Sequence, residues 1–317
     1  MQKQKSNRCW LLNKLKSPLT TASQRALQSW ILQSGVWVIL ILLLGIPFLV
    51  NLIYSLGNFQ FESLLSPKIT GFENYWRVWT DQAFRDALWF SLRFATVTTL
   101  FEVFIGTVIA VYLSPLLQRR QELMAILMLP MMLSPALLGQ MYRLMFDDFA
   151  GSIPAILELI ATLTNHPAWF VNPLDTEWLF TSLCTIEILQ WMPFVILLTH
   201  TSYIATPKDQ TEAAQVSGAT RWQIFKDIEL PHLFPTLMVV SLIRFIDGFR
   251  VFDHVWVLTQ GGQGNSATSI SIYLYKAFFR SEAPGIAIAG GIILVGMALV
   301  LMTLGLQWRT YRQINDR

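Results

Sequence analysis

Charged residues are concentrated in one apolar stretch of the last third of the chain. The run Leu242–His254 reads LIRFIDGFRVFDH and contains two arginines, two aspartates and a histidine. A charge at the bilayer centre costs roughly 2.5–3.5 kcal/mol on an insertion scale, so these groups must pair with one another or face a polar pathway. Guanidinium and carboxylate groups exchange hydrogen bonds with hydroxyls, which is the chemistry needed to hold a polyhydroxylated solute.

Helical geometry gives this stretch two faces. On a straight helix Asp247, Arg250 and His254 fall within about 60° of one another, so we expect them to line a pathway. Four aromatic residues fall on nearly the opposite side: Phe245, Phe249, Phe252 and Trp256. The alternative is an ion-pair ladder that only locks the helix, with Arg244 neutralising Asp247 and Asp253 neutralising Arg250 three residues apart.

Two further acids, Glu102 and Glu187, lie in other apolar runs. They are additional candidates for the pathway, because an ionisable group inside a membrane is expensive and is kept for a reason. Each could instead pair with an arginine such as Arg93 or Arg244. Both interpretations follow from the sequence.

Other chemistries find no support in the sequence. The two cysteines, Cys9 and Cys184, and the four dispersed histidines show no metal-ligand spacing, so we predict no metal site and no catalytic residues. No GxxxxGK[ST] phosphate loop occurs, so any ATP must be bound by another polypeptide. A net charge of only +3, without a concentrated basic face, excludes a nucleic-acid binder.

The elements that must position these residues are membrane helices. Of the 317 residues, 53% are hydrophobic and 14% charged, which is too little polar surface for a soluble domain of this size. A helix needs about 20 apolar residues to cross a bilayer. Six spans meet that criterion: 31–54, 87–113, 122–146, 179–203, 236–258 and 285–307. The sequence therefore predicts an all-α membrane protein with six transmembrane helices.

Basic residues predict the orientation of these spans. Residues 1–30 carry six Lys and Arg, whereas the loops 55–86, 147–178 and 259–284 together carry five. Because basic flanking residues are retained in the cytoplasm, both termini are predicted to be cytoplasmic and those three loops external. The predicted organisation is a basic tail (1–30), the first span with its loop (31–86), a core (87–308) and a second cytoplasmic tail (309–317).

The loop 205–235, on the cytoplasmic side, carries capping signals of folded structure. Thr206 and Pro207 predict the start of a helix, and Gly218 predicts its end at a residue with positive φ. Thr220 and Gln223 predict a second short helix, which should end near Leu230-Pro231. Such helices cannot bury their own apolar residues and need a partner surface.

The spacing in this loop resembles a known family motif. Glu212-Ala213-Ala214, then Gly218, Ile228 and Leu230-Pro231 match the EAA loop of binding-protein-dependent ABC importer permeases. In that family the loop resembles a coupling helix that docks into a cleft of a separate ATPase subunit. The resemblance covers about residues 90–308, and it implies the type I importer permease fold.

A second segment resembles the FD…LTxGGP…T…Y sequence of carbohydrate-type permeases. It comprises Phe252-Asp253, Leu258-Thr259, Gly261-Gly262, Thr268 and residues 272–275, with Gln263 in place of the usual proline. The resemblance, to permeases for maltose, trehalose or glycerol phosphate, implies a sugar, glycoside or polyol as solute. An osmoprotective compound of the glucosylglycerol type fits this class.

The same resemblance implies the partners. They are two ATP-binding subunits that carry ATP and Mg²⁺, a second permease subunit in a heterodimer, and an external or lipid-anchored solute-binding protein, all at the bacterial inner membrane among its lipids. No cofactor is expected on this chain itself.

Two other classes of function stay open from the sequence. An ion-coupled secondary transporter would use the intramembrane acids to couple the solute to protons or sodium, without an ATPase. A membrane-embedded enzyme would need a nucleophile and base, or paired carboxylates, at a specific spacing, and none is found.

Overall fold

The computed structural model describes residue 30 and residues 33–58, 68–147, 151–164, 172–261, 267–281 and 283–315. Helices predominate in this part of the chain. In chain order they are α1 (Gln33–Ser55), α2 (Glu73–Thr80), α3 (Gln82–Arg119), α4 (Gln121–Leu127), α5 (Leu129–Met132), α6 (Pro135–Met145), α7 (Ser152–Thr164), α8 (Thr176–Ile204), α9 (Lys208–Val216), α10 (Arg221–Ile224), α11 (Leu230–Phe249), α12 (Asp253–Leu258), α13 (Ile270–Phe279) and α14 (Pro284–Asn315). A small antiparallel hairpin pairs β1 (Gly57–Asn58) with β2 (Lys68–Ile69).

The described residues hold four helical stretches that are long and apolar enough to cross a membrane. They are Gln33–Ser55, Gln82–Arg119, Thr176–Ile204 and Arg221–Leu258. These stretches overlap the first, second, fourth and fifth predicted spans. The predicted count of six is not confirmed. The third predicted span is interrupted, and the apolar stretch Pro284–Val300 of α14 is shorter than the four stretches named above. The side that each terminus faces stays a prediction.

The third predicted span, 122–146, is not one helix. Two prolines divide it into α4, α5 and α6, and Ser134, which precedes Pro135, takes an extended conformation. Steric clash with a following proline disfavours the helical conformation, which explains the break. The freed carbonyl of Leu133 accepts a hydrogen bond from Gln190 Nε2 at 3.1 Å, so α8 satisfies it away from water.

The fifth predicted span, 236–258, is also interrupted. α11 ends at Phe249, and α12 begins at Asp253 in a new direction set by Phe252 at φ −137°, ψ −61°. Two serines satisfy carbonyls at the break: Ser269 Oγ donates to Val251 O at 2.6 Å, and Ser271 Oγ donates to Arg250 O at 2.9 Å. The straight-helix geometry assumed from the sequence is therefore wrong beyond Phe249.

The chain divides into two compact units. The first comprises residues 1–75 and 283–317, and in its described part α1 packs against α14. Asn74 fixes the start of α2 to the end of α1, because its side-chain amide donates to Ser55 O at 3.0 Å and to Gly57 O at 2.9 Å. These bonds satisfy carbonyls that the end of a helix leaves unpaired.

The second unit, residues 76–282, is built on α3. α8, α11 and α13 pack against it, and α6 packs against α12. Asp81 caps α3 by accepting the amide of Ala83 at 3.0 Å, and it also accepts the Tyr273 hydroxyl of α13 at 2.6 Å. α11 approaches α3 closely at Gly248, where a Cβ would lie 3.1 Å from Ala95 Cα. This packing brings the charged residues of α3, α8 and α11 together.

Candidate functional site

The loop that matches the family motif folds around α9. Glu212 and Ala213 are exposed on this helix, and Ala214 is half-buried. The helix begins one residue later than predicted, at Lys208, and the predicted N-cap Thr206 is instead buried below it. Pro207 occupies the cap position, and its side chain has no atom that could accept a capping hydrogen bond. Its ring instead fixes the φ of the residue that enters the helix, at −61°.

The predicted glycine turn is confirmed. Gly218 has φ +83°, its amide bonds to Gln215 O, and the next amide, of Ala219, bonds to Ala214 O, both at 3.0 Å. This pattern is a Schellman C-cap, in which a left-handed residue satisfies the last carbonyls of a helix. The predicted capping box is confirmed too, because Thr220 and Gln223 exchange side-chain and backbone hydrogen bonds.

The predicted end of the second helix near Leu230-Pro231 is wrong. After α10 the chain makes a π turn, Phe225–Glu229, and continues directly into α11. The amide of Leu230 bonds to Phe225 O, five residues back, and Pro231 then lies in the first turn of α11. Proline is tolerated there because the amide that it lacks is not required by the α-helical ladder. Ile228 and Leu230 are half-buried in this join.

The loop presents apolar side chains to the outside. Val216 is 91% exposed and Trp222 is 68% exposed, and the Trp222 ring lies 5.7 Å from that of Phe225. A large exposed apolar surface beside polar residues is typical of an interaction surface. Glu212 supplies an exposed charge on the same short segment.

A cluster that the sequence did not reveal joins this loop to α8. Glu229 Oε1 pairs with Arg221 Nη1 at 2.8 Å and accepts the Tyr203 hydroxyl at 3.0 Å, while Arg221 Nη2 donates to Tyr203 at 2.9 Å. Eight residues separate Arg221 from Glu229, which is not a neighbour spacing on a regular helix. The π turn and Tyr203 from another element bring them together, so no sequence pattern could have shown the contact.

The intramembrane charges meet at Arg244, which is 1% exposed. Its Nε lies 2.6 Å from Glu102 Oε2 of α3, and its Nη2 lies 2.6 Å from Glu187 Oε1 of α8. The guanidinium carbon also lies 4.6 Å from the centre of the Trp191 ring. This arrangement matches the alternative that both glutamates pair with an arginine. Arg93 takes no part in it and lies over the Phe180 ring at 4.3 Å.

Asp247 links Arg244 to the exposed end of the network. The predicted pair with Arg244 is present at 3.4 Å, but Arg250 pairs with Asp247 at 2.7 Å rather than with Asp253. The helix break at Arg250 explains the error, because Asp253 belongs to α12 and no longer follows the helical spacing of α11. His254 is buried with Nε2 3.6 Å from Glu187 Oε2.

These residues surround a small cavity of about 320 Å³. Its lining includes Glu187, Trp191, Asp247, Arg250, Asp253 and His254, and below it is called the central cavity. Four of the five predicted pathway residues therefore line one space: Glu187, Asp247, Arg250 and His254. The fifth, Glu102, is fully buried behind Arg244 and does not line it. Sequence reasoning did not include Trp191 or Asp253.

The predicted aromatic stripe splits with the helix. Phe245 stacks on Phe249 within α11, whereas Phe252 stacks on Trp256 at 5.4 Å. Tyr275 of α13 closes an edge-on contact with the second pair. In the carbohydrate-type segment Gly261 takes φ +91°, as the expected turn requires. Gly262 and Gln263 lie outside the described residues.

Comparison with known proteins bears on nearly the whole chain. Residues 19–307 match the family described as the binding-protein-dependent transport system inner membrane component. The chain belongs to this family. The resemblance found in the loop is confirmed. The family match begins at residue 19, well before residue 90, where the motifs in the sequence had placed the start of the resemblance. The chain is therefore an ABC transporter permease, a transport subunit rather than an ATPase, and the ion-coupled alternative is not favoured.

Individual relatives agree with the assignment. A probable ABC transporter permease protein, y4oQ of Sinorhizobium fredii, is 30% identical and covers 86% of this chain and 87% of its own length. The trehalose/maltose transport system permease protein MalF of Thermococcus litoralis is 29% identical over 74% of this chain and 79% of that protein. A chain of a bacterial ABC transporter for alginate import is similar in fold, with a TM-score of 0.73, 21% identity and coverage of 92% and 97%.

Proposed function

We propose that the permease belongs to an ATP-driven importer that carries a sugar, glycoside or polyol across the bacterial inner membrane. In this proposal an external or lipid-anchored solute-binding protein delivers the solute. A second, different permease subunit completes the pathway, and two ATP-binding subunits hold ATP and Mg²⁺. The permease chain itself holds no cofactor.

The exposed surface of α9 and α10 is the observation that carries the coupling role. It combines a charge at Glu212, a small residue at Ala213 and the apolar side chains of Val216 and Trp222. Small residues permit close backbone approach, and a charge at the rim is suited to an arginine or lysine on a partner. The turn at Gly218 and the Arg221–Glu229–Tyr203 cluster hold this surface firmly on the membrane helices. An ATPase cleft is the partner that the family motif implies.

The solute class is supported by two observations. The relatives include a permease protein of a trehalose/maltose transport system and one of a sulfoquinovosyl glycerol transport system, and these solutes are glycosides. The central cavity offers Asp247, Asp253 and Arg250 as acceptors and donors for hydroxyls, with the Trp191 ring beside them. A planar aromatic with a few polar groups is a usual lining for a sugar. An osmoprotective solute of the glucosylglycerol type remains within this class.

The coupling role is tested by reversing the charge of Glu212. The permease is purified with the ATPase subunits that co-purify with it, and solute-stimulated ATP hydrolysis is measured in proteoliposomes. Glu212→Lys should weaken ATPase binding at least about tenfold, because a like charge would then face the partner's basic group. Glu158→Lys is the matched control, since Glu158 is also an exposed acid on a helix, α7, and lies outside the loop 205–235.

Two results would contradict the proposal. One is full ATPase binding and full coupling in Glu212→Lys. The other is uptake by the wild-type permease that follows a proton or sodium gradient and persists without ATP. The solute is identified separately, by measuring which of trehalose, maltose and glucosylglycerol binds the cognate solute-binding protein and is then taken up.

A further inference from the structure

The lining of the central cavity carries more negative than positive charge. Among the described residues it contains one guanidinium, that of Arg250, and three carboxylates, those of Glu187, Asp247 and Asp253. The lining is therefore negative by two charges. Protonation of His254, the other titratable side chain in this described lining, would still leave an excess of one.

The groups behind this lining do not cancel the excess. Arg244 binds Glu102 with two hydrogen bonds, from Nε at 2.6 Å and from Nη2 at 3.2 Å, so these two charges offset each other. α12 begins at Asp253, but the N-terminus of a helix is equivalent to only about half a positive charge. With His254 neutral, more than one unit of negative charge remains at the cavity.

Asp253 is the carboxylate of the lining that no cation neutralises. Glu187 binds Arg244 at 2.6 Å, and Asp247 binds Arg250 at 2.7 Å. Asp253 is exposed, and within the part of the chain that the structure describes it takes part in no ion pair and no side-chain hydrogen bond. Its charge is thus left to act on whatever enters the cavity.

We propose that Asp253 makes the central cavity selective for uncharged or cationic solutes against acidic ones. A cavity whose walls carry one sign of charge and have a low dielectric constant focuses the field. A carboxylate, sulfonate or phosphate group on a solute is therefore repelled there, whereas hydroxyl and ammonium groups can donate hydrogen bonds to Asp253. Only the identification of the occupant as the imported solute rests on the proposed function.

The size of the cavity narrows the solute further. Its volume of about 320 Å³ lies at the lower end of the range for small-molecule sites, roughly 300–1,000 Å³. Within the proposed class of sugars, glycosides and polyols, this favours a small neutral glycoside, a polyol or an amino sugar. Sugar acids and sugar phosphates are excluded by their charge.

Charged thiol reagents measure this selectivity without knowledge of the solute. Phe252 lines the cavity, so Phe252→Cys is introduced into a Cys9→Ser background, in which the native Cys184 is buried. The full chain, with the partners that co-purify with it, is placed in lipid nanodiscs. It is then treated with methanethiosulfonates that carry a trimethylammonium group, a sulfonate group or no charge. The labelled fraction is followed by mass spectrometry, and each rate is divided by the rate of the same reagent with 2-mercaptoethanol.

We expect the ammonium reagent to react about a hundredfold faster than the sulfonate reagent, with the uncharged reagent between them. Raising the salt concentration should shrink this ratio, because mobile ions screen the field of the carboxylates. A difference that arose from the shape of the reagents would not respond to salt.

The role of Asp253 is tested in the same background. Asp253→Asn should lower the ratio of the ammonium rate to the sulfonate rate about tenfold, because it removes one charge, whereas Asp253→Glu should keep the ratio. Asp209→Asn is the matched control, since Asp209 is also an exposed acid in the first turn of a helix, α9, and does not line the central cavity. It should leave the ratio within about twofold, because salt screens distant exposed charges.

A second cysteine position makes the result independent of the stack between Phe252 and Trp256. Pro135→Cys, on α6, reports from another wall of the cavity. The inference is overturned by equal rates for the ammonium and sulfonate reagents at both positions, by a ratio that Asp253→Asn leaves unchanged, or by failure of the uncharged reagent to reach either cysteine. None of these results affects the Glu212→Lys experiment, so failure here is distinguishable from failure of the proposed function.

Discussion

Arg244 is the residue on which three helices of the membrane region meet. It comes from α11 and pairs with Glu102 of α3 and Glu187 of α8, each at 2.6 Å. Removing one partner of a buried ion pair leaves the other charges uncompensated, which typically costs about 3–5 kcal/mol. Arg244→Met should therefore lower the unfolding temperature in detergent markedly, as followed by tryptophan fluorescence.

The control for this prediction is Arg93→Met. Arg93 is exposed and its guanidinium lies over the Phe180 ring, a contact worth roughly 0.5–1 kcal/mol. The double variant Arg244→Met/Glu102→Met should recover part of the loss, because it removes one of the stranded carboxylates. Equal melting temperatures for Arg244→Met and wild type would show that the network is not a structural clamp.

Asp247 has a different role from Glu102, although both were candidates for the pathway. Asp247 lines the central cavity and is partly exposed, whereas Glu102 is fully buried behind Arg244. Asp247→Asn should reduce solute uptake about tenfold, the loss of one charge-assisted hydrogen bond, with little change in melting temperature. Asp86→Asn, on α3 and outside the cavity, should leave uptake unchanged. Uptake unaffected by Asp247→Asn would restrict this acid to ion pairing.

The sequence predicted these residues better than their contacts. It identified every acid in the network and included an arginine pair for both glutamates, because a buried charge must be compensated wherever it lies. It misassigned the partner of Arg250, since that depends on the break after Phe249. Trp191 could not be identified, because a single tryptophan in an apolar run gives no signal of its neighbours.

At the scale of elements, the turn at Gly218 is the feature most open to test. Its φ of +83° costs an L-residue roughly 1–2 kcal/mol, and no atom lies within 4 Å of the position a Cβ would take. Gly218→Ala should therefore act through the backbone alone. We expect about tenfold weaker ATPase binding, measured by surface plasmon resonance on nanodiscs, with unchanged melting of the membrane helices.

Asparagine separates strain from other effects of losing this glycine. Because Asn adopts the left-handed conformation more readily than Ala, Gly218→Asn should restore most of the binding that Gly218→Ala loses. If both variants bind the ATPase as well as the wild type, the Schellman turn does not position Glu212. If both lose binding equally, side-chain bulk at the contact surface is responsible.

The turn at Gly218 and the capping box at Thr220 followed from local rules, whereas the N-cap expected at Thr206 and the helix break after Phe249 did not. Gly218 and the Thr220 capping box depend on residues close in sequence, and their conformations were predicted correctly. The break after Phe249 is held by Ser269 and Ser271, some twenty residues away. The run 236–258 contains no proline and favours one helix, so at this position only a tertiary contact of this kind reveals the break.

At the scale of the whole molecule, α8 connects the central cavity with the coupling loop. The central cavity is small, charged and lined by residues of α8, α11 and α12, as a selective contact on a pathway requires. Glu187 of α8 lines this cavity, and Tyr203, near the end of the same helix, bonds to Arg221 and Glu229 of the coupling loop. A shift of α8 would thus affect solute contact and coupling together.

The native cysteines allow the predicted orientation to be tested directly. Cys184 is buried in α8, so a membrane-impermeant maleimide added to intact cells should not label it. Cys9 belongs to the basic tail that the distribution of Lys and Arg places in the cytoplasm, so it should react only after the membrane is permeabilised. Introducing Glu158→Cys on α7, which falls in a loop predicted to be external, should add labelling in intact cells. Labelling of Cys9 in intact cells, together with protection of residue 158, would reverse the orientation and place Glu212 out of reach of any cytoplasmic ATPase.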